Sequence, residues 1–190
     1  MATTTQVNQK FQPQLIDPPL AQFLFNDIRM SWLWLGLRLY LGYTWLTSGL
    51  GKLSNPAWFG EGAGTALTGF LKGALAKMEG PRPDVQGWYG GFLETMVLPN
   101  APVWSHFVVV GEIMVGAALI LGLFTGVAAF FGGFMNVNFL MAGTVSTNPF
   151  LFVIATWLVL AWKTAGWLGL DRWVLPKMGK YLSPGKTSST

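Results

Sequence analysis

The chain has 190 residues, 52% hydrophobic and 11% charged, and a net charge of +4. Soluble domains carry about 25% charged residues, so more than half the usual charge is missing. Cysteine is absent, which excludes disulfides, thiolate catalysis and Cys-ligated zinc or iron–sulfur clusters. A single histidine, His106, leaves little for metal or haem ligation, so redox chemistry would need a diffusible cofactor or a partner subunit. The 24 glycines suit close helix packing in lipid, and the 10 tryptophans suit anchoring at a membrane interface. The length fits one membrane domain without a second globular one, and no basic stripe suggests nucleic acid as a partner.

Residues 1–28 read as a polar cytoplasmic tail. A cleavable signal would put its apolar core nearer the start, so the first apolar segment is expected to remain. Four spans follow: Ser31–Gly51, Trp104–Phe124, Gly126–Gly143 and Pro149–Leu168. Each has the ~18–21 residues needed to cross a ~30 Å hydrocarbon core. The last two connections are short, which forces antiparallel neighbours. Between the first two spans lies a long segment, Lys52–Val103, with helical pieces near Thr65–Met78 and Trp88–Val97 broken at Gly80, Pro81 and Pro83. Its aromatics predict an ordered cap on the bilayer surface. The fold expected is therefore all-α: an integral membrane four-helix bundle over residues 29–175, with a long extracytoplasmic cap and a basic, flexible tail over 176–190.

Basic residues in the flanks set the orientation. The side holding both ends carries Lys10, Arg29, Lys163, Arg172, Lys177, Lys180 and Lys186, against Lys52, Lys72, Lys77 and Arg82 opposite. That asymmetry places both termini in the cytoplasm of a multi-pass protein of the inner (cytoplasmic) membrane.

Two charges fall inside spans, Arg38 in the first and Glu112 in the second. A charge at the bilayer centre costs about 2.5–3.5 kcal/mol on insertion scales. Counted from the cytoplasmic side, Arg38 lies ~10 Å deep and Glu112 ~18 Å, a gap an arginine side chain can bridge. The two are expected to pair, either as a device fixing helix register or as a proton or substrate site. Asn136, Asn138 and Thr156 fall near the depth of Glu112, although Asn136 and Asn138 are ~200° apart on their helix. Arg38, Gly42, Trp45, Gly49 and Lys52 line one face of the first helix. Lys52 and His106 lie at the outer mouth, where together they would attract a small anion.

Several of these residues, in this order, resemble the DoxX/DoxD family of small four-helix membrane proteins. The matching pieces are Arg38 with Gly42, Gly49-Leu50-Gly51-Lys52-Leu53, Pro56 and Phe59-Gly60. Glu112 with Gly116, Leu119 and Gly122 follows, then Ala165-Gly166 and Leu170-Asp171. The long cap is similar to the DoxD branch, the membrane subunit of thiosulfate:quinone oxidoreductase. The resemblance implies oxidation of thiosulfate to tetrathionate, with a quinone as cofactor and electron acceptor. On that reading Glu112 and Arg38 are the catalytic candidates. Lys52, His106, Asn136, Asn138 and Trp45 are the candidates for substrate binding, and the partners are the lipid bilayer and another subunit or a second copy of the chain. The alternative is a non-catalytic anchor or assembly subunit of a larger complex.

Overall fold

The computed structural model describes residues 17–182. The tails expected at 1–28 and 176–190 therefore fall partly outside the described residues, as do Lys10 and Lys186. Among the described residues every regular element is helical.

Helix α1 is Ser31–Leu53, and its buried residues Trp34, Arg38, Leu41, Gly42, Trp45 and Gly49 recur every three or four positions, so one face turns inward. A cap follows. It holds α2, Thr65–Leu75, and α3, Gly87–Phe92. Gly80, Pro81 and Pro83 separate the two, and glycine with proline supplies no helix propensity there. From α3 the chain passes through a π turn, Leu93–Val97, and a 3-10 turn, Leu98–Asn100, into α4, Ala101–Leu121. Pro102 sits at the start of α4, where its missing N–H has no intrahelical partner to lose. The cap has its own core, including Leu67, Leu71, Val85, Tyr89, Leu93 and Val97. It is tied down where Ser105 Oγ donates to the Trp58 carbonyl at 2.6 Å and Lys77 Nζ donates to the Gly143 carbonyl at 2.6 Å.

Helix α4 runs back along α1. Gly42 meets Leu119 and Ile120, Gly116 abuts the backbone of Leu46, and Gly49 abuts Ile113 and Glu112. At Gly116 an added Cβ would collide with the Leu46 backbone, so only glycine permits this approach. Helices α5, Thr125–Met141, and α6, Asn148–Leu160, form a second antiparallel pair. A shared core of Leu41, Trp45, Leu119, Ala129, Ile154 and Leu158 joins the two pairs.

The predicted spans and observed helices agree closely for the first three. The fourth differs. Helix α6 stops at Leu160, and only one turn, α7 (Trp162–Ala165), follows before a bend. The Thr164 hydroxyl donates to the carbonyls of Ala161 and Phe25, and Gly166 and Gly169 both disfavour continuation. A further helix, α8, covers Asp171–Leu182 and runs through the boundary expected at residue 176. The N-terminal approach is also more structured than a polar tail. Helical turns over Pro19–Ala21, Gln22–Asn26 and Ile28–Met30 dock on the bundle, where Trp34 Nε1 donates to the Leu24 carbonyl at 2.9 Å and Phe25 stacks on Trp34 at 5.8 Å. Asp27 caps the last of these turns by accepting from the Arg29 N–H at 2.8 Å. Hydrogen bonds from the Arg29 side chain hold the Asp27 carboxyl below its ordinary range.

Among the described residues, one helical run, Gly87–Leu121, is long and apolar enough to cross a membrane, while Thr125–Met141 and Asn148–Leu160 are apolar but shorter. Helix α1 has the length, but Arg38, Lys52 and its hydroxyl side chains dilute its hydropathy.

Candidate functional site

Glu112 is 1% exposed at the side chain and accepts from Lys52 Nζ through both oxygens, at 2.8 Å each. Lys52 Nζ also donates to Ser48 Oγ at 2.7 Å and lies 5.2 Å from the Trp58 ring centroid in the cap. An ammonium has three hydrogens, and the three acceptors here use all of them. His106 is close by in sequence on α4, and its Nδ1 lies 2.7 Å from the Pro102 carbonyl. A carbonyl only accepts, so Nδ1 carries a hydrogen and donates it. The ring meets Phe59 edge-on at 4.5 Å.

The pair expected between Arg38 and Glu112 is therefore replaced by Lys52 and Glu112. Contacts of Gly49 with Glu112 and of Gly42 with Leu119 set Glu112 level with residue 49. Eleven residues of α1 then separate it from Arg38, about 16 Å along the axis. Depth counting failed because it started both helices at one level. The C-terminal end of α4, at Gly122, is level with Arg38 and not with Ser31.

Arg38 is 1% exposed and belongs to that other end. Its Nη2 donates to the Leu168 carbonyl at 3.0 Å, while Nε and Nη1 have no partner among the described residues. Gly122, with φ 64°, and Gly169 lie against the guanidinium. Asp171, 3% exposed, accepts from the backbone N–H of Phe124 at 2.6 Å and of Thr125 at 2.8 Å. It thus supplies from the far end of the chain the N-cap that α5 lacks locally. The backbone N–H groups of Leu170 and Asp171 donate to the carbonyls of Leu121 and Gly122, closing a knot in which Arg38 is the buried cation.

The polar layer expected at the depth of Glu112 separates into three sets. Asn136 is 0% exposed, and its Nδ2 donates to Asn148 Oδ1 at 3.0 Å. Asn138 meets the cap: the Tyr89 hydroxyl donates to its carbonyl at 3.0 Å and to its Oδ1 at 3.1 Å. Thr156 is exposed and bonds its own helix at the Phe152 carbonyl. Trp45 is 4% exposed within the bundle core, stacked near Phe139 at 6.4 Å, with Nε1 lacking a partner. Sequence reading left Ser48, Trp58, Tyr89 and Asn148 out of the candidate site, taking Trp58 and Tyr89 only as aromatics of the cap. Ser48 carried one signal, lying one helical turn before Lys52.

The outer surface reverses the usual arrangement. Large apolar side chains such as Tyr43, Phe107, Met114, Phe131, Phe134 and Leu160 stand exposed, while Arg38, Glu112, Asn136 and Asp171 are enclosed. Exposed apolar surface on that scale marks contact with a membrane or a partner. Charge turned into the bundle and away from lipid is how membrane-embedded helices carry ionisable groups. These features define an all-helical protein of membrane type. The chain belongs to the DoxX family, whose model matches residues 33–144, from α1 through the cap and α4 to the end of α5. Membership makes it a membrane protein. Neither the curated proteins nor the solved structures gave a match.

Proposed function

We propose that the chain is a four-pass subunit of the inner membrane that anchors and assembles a larger quinone-linked oxidoreductase. Helices α1, α4, α5 and α6 would be the spans, with both termini cytoplasmic and the cap outside. The observation that carries this reading is the closure of the Lys52–Glu112 pair together with the burial of Arg38. Lys52 spends its three hydrogens on Glu112 and Ser48, and Arg38 is enclosed beside Gly122, Gly169 and the Leu168 carbonyl. Neither cation is presented to a substrate in this arrangement. Each ties distant parts of the chain together, which is the work of a scaffold. Redox centres then reside in a partner subunit, in keeping with a chain that has no cysteine.

A second reading makes the chain itself catalytic, as the DoxD resemblance implies. Two thiosulfates would lose one electron each to give tetrathionate, and a quinone would take both electrons with two protons. Supporting it is an aromatic cavity beneath the cap, reachable from the apolar surface. For Glu112 to relay protons, or for Lys52 and His106 to receive the anion, the Lys52–Glu112 pair must first open. Arg38 would assist only at the opposite end of α1.

Purification of the native protein in mild detergent separates the readings, with co-purifying proteins and extracted quinone identified and thiosulfate-dependent reduction of a quinone analogue assayed. A redox partner that alone restores turnover supports the scaffold. Turnover by the isolated chain, lost in Glu112→Gln, supports the catalytic reading. A chain that purifies alone, without quinone and without turnover, overturns both.

A further inference from the structure

A cavity of about 240 Å³ lies where the cap meets α4 and α5. Rings form much of its wall: Phe70 and Tyr89 from the cap, Trp104 and Phe107 from α4, Phe134 and Phe139 from α5. No charged side chain lines it among the described residues, so it offers nothing to an anion. Its mouth lies on the outer face, where Phe107 is 68% and Phe134 58% exposed. In a membrane protein those residues meet lipid, so the approach is lateral, through the bilayer.

The polar end is small and specific. Asn138 Nδ2 donates one hydrogen to the Phe134 carbonyl at 2.8 Å, and its second N–H has no acceptor among the described residues. The Tyr89 hydroxyl spends its hydrogen on Asn138, which leaves lone pairs on the phenol oxygen. Together they provide one donor and one acceptor. An oxidised ring presents a carbonyl to the donor, and a reduced ring presents a hydroxyl to the acceptor. An acyl chain would use neither group and has no need of flat aromatic walls. The volume falls below the roughly 300–1,000 Å³ of pockets that enclose whole ligands, so it admits a ring and leaves a tail outside.

We propose that this cavity binds the ring of a membrane-soluble, alkyl-tailed quinone or quinol. Aromatic walls hold the ring, Asn138 and Tyr89 bond its oxygen, and the tail runs out past Phe107 and Phe134. The inference deepens the quinone-linked readings and rests on them for the physiological ligand. It concerns binding alone and does not depend on which subunit transfers electrons.

The test is photolabelling of the purified full chain by an azido-substituted decylbenzoquinone, with adducts mapped by peptide mass spectrometry. Labelling is expected on peptides carrying residues 87–97 or 134–139, competed by unlabelled decylbenzoquinone and not by oleate. Val108→Trp, which fills the cavity from α4, is expected to reduce labelling by about tenfold or more. Asn138→Leu removes the free N–H while Tyr89 keeps the backbone carbonyl, and it should raise half-saturation about five- to tenfold, the worth of one hydrogen bond. Absence of labelling, adducts elsewhere, or equal competition by oleate overturns the proposal, the last by making the cavity an acyl-chain site. If Val108→Trp proves misfolded by thermal unfolding, Asn138→Leu decides, and an unchanged half-saturation overturns it. Co-purification of a redox partner is read separately, so a failed cavity leaves the scaffold reading standing.

Discussion

The ammonium of Lys52 sits 2.8 Å from both carboxylate oxygens of Glu112, and this pair binds the C-terminal end of α1 to the middle of α4. Glu112 is enclosed and Lys52 is 20% exposed at the side chain, so removing the lysine strands the more buried partner. Lys52→Met and Glu112→Leu are each expected to lower stability, the former by about 3–5 kcal/mol, while the double substitution costs less than the sum. Thermal unfolding across the cycle measures the coupling, which should reach about 1–3 kcal/mol. Arg38→Met combined with Glu112→Leu should be additive within about 0.5 kcal/mol, because the two sites are about 16 Å apart along α1 and share no partner. Strong coupling in that second cycle would contradict the register described above.

Gly122 serves two purposes at once. Its left-handed φ of 64° costs an L-residue about 1–2 kcal/mol, and an added Cβ would run into the Arg38 guanidinium. Gly122→Ala should therefore destabilise by more than the backbone term alone. Arg38→Met should relieve the steric part, making the double substitution milder than the two losses added. Additivity of the melting shifts would show that the guanidinium moves aside freely.

Gly116 tests packing without charge. Its Cβ position is occupied by the backbone of Leu46, which cannot rotate away as a side chain would. Gly116→Val should force α1 and α4 apart, at a cost of about 1–3 kcal/mol or more. At Gly36, where an added Cβ meets nothing within 4 Å, Gly36→Ala should leave thermal stability unchanged or slightly raised. Comparable losses at both positions would remove the case for close approach at Gly116.

Helix positions were legible because apolar runs of about 18–21 residues match the length needed to cross a hydrocarbon core. The observed α1, α4 and α5 begin and end within about three residues of the predicted spans. The partners of the polar groups were not legible. Lys52, at the end of its helix, reads as a snorkelling anchor until the register of α1 against α4 is known. That register is set by Gly42, Gly49 and Gly116 meeting backbone, and single-sequence periodicity does not say which glycines meet. Asn136 and Asn138 were correctly separated by their ~200°, but their partners, Asn148 and Tyr89, come from a helix start and from the cap. Asp171 lies 46 residues from the Thr125 N–H it accepts, and its capping role depends on a chain reversal that no local pattern announces. The break after Leu160 was hidden because Trp162, Trp167 and Leu168 keep the segment apolar across the turn.

Membrane topology is the remaining prediction. Four spans put residues 84 and 177 on opposite sides, and the basic flanks put residue 177 in the cytoplasm. Asp84 and Lys177 are both exposed, and the chain has no native cysteine, so single cysteines there report accessibility without background. In intact cells an impermeant maleimide should label Asp84→Cys and spare Lys177→Cys, which should react only after permeabilisation. Asp84 belongs to the turn between α2 and α3, and Val85 beside it is buried in the cap core, so labelling at 84 samples the folded cap. Labelling of residue 177 alone would invert the orientation and carry the cap and its cavity to the cytoplasmic side. Labelling of both would require an even number of crossings between them, or none, and would overturn the four-span reading. The short helix α6 makes the test informative: Asn148–Leu160 has 13 residues, about 20 Å at 1.5 Å per residue, less than a ~30 Å hydrocarbon core. Crossing then depends on the turn at Trp162–Ala165 and the bend that follows to carry the chain through the remaining depth. At that turn the Thr164 hydroxyl donates to the Phe25 carbonyl of the docked N-terminal segment, and beyond the bend the N–H groups of Leu170 and Asp171 donate to the Leu121 and Gly122 carbonyls, partners of the kind that non-helical backbone at membrane depth requires.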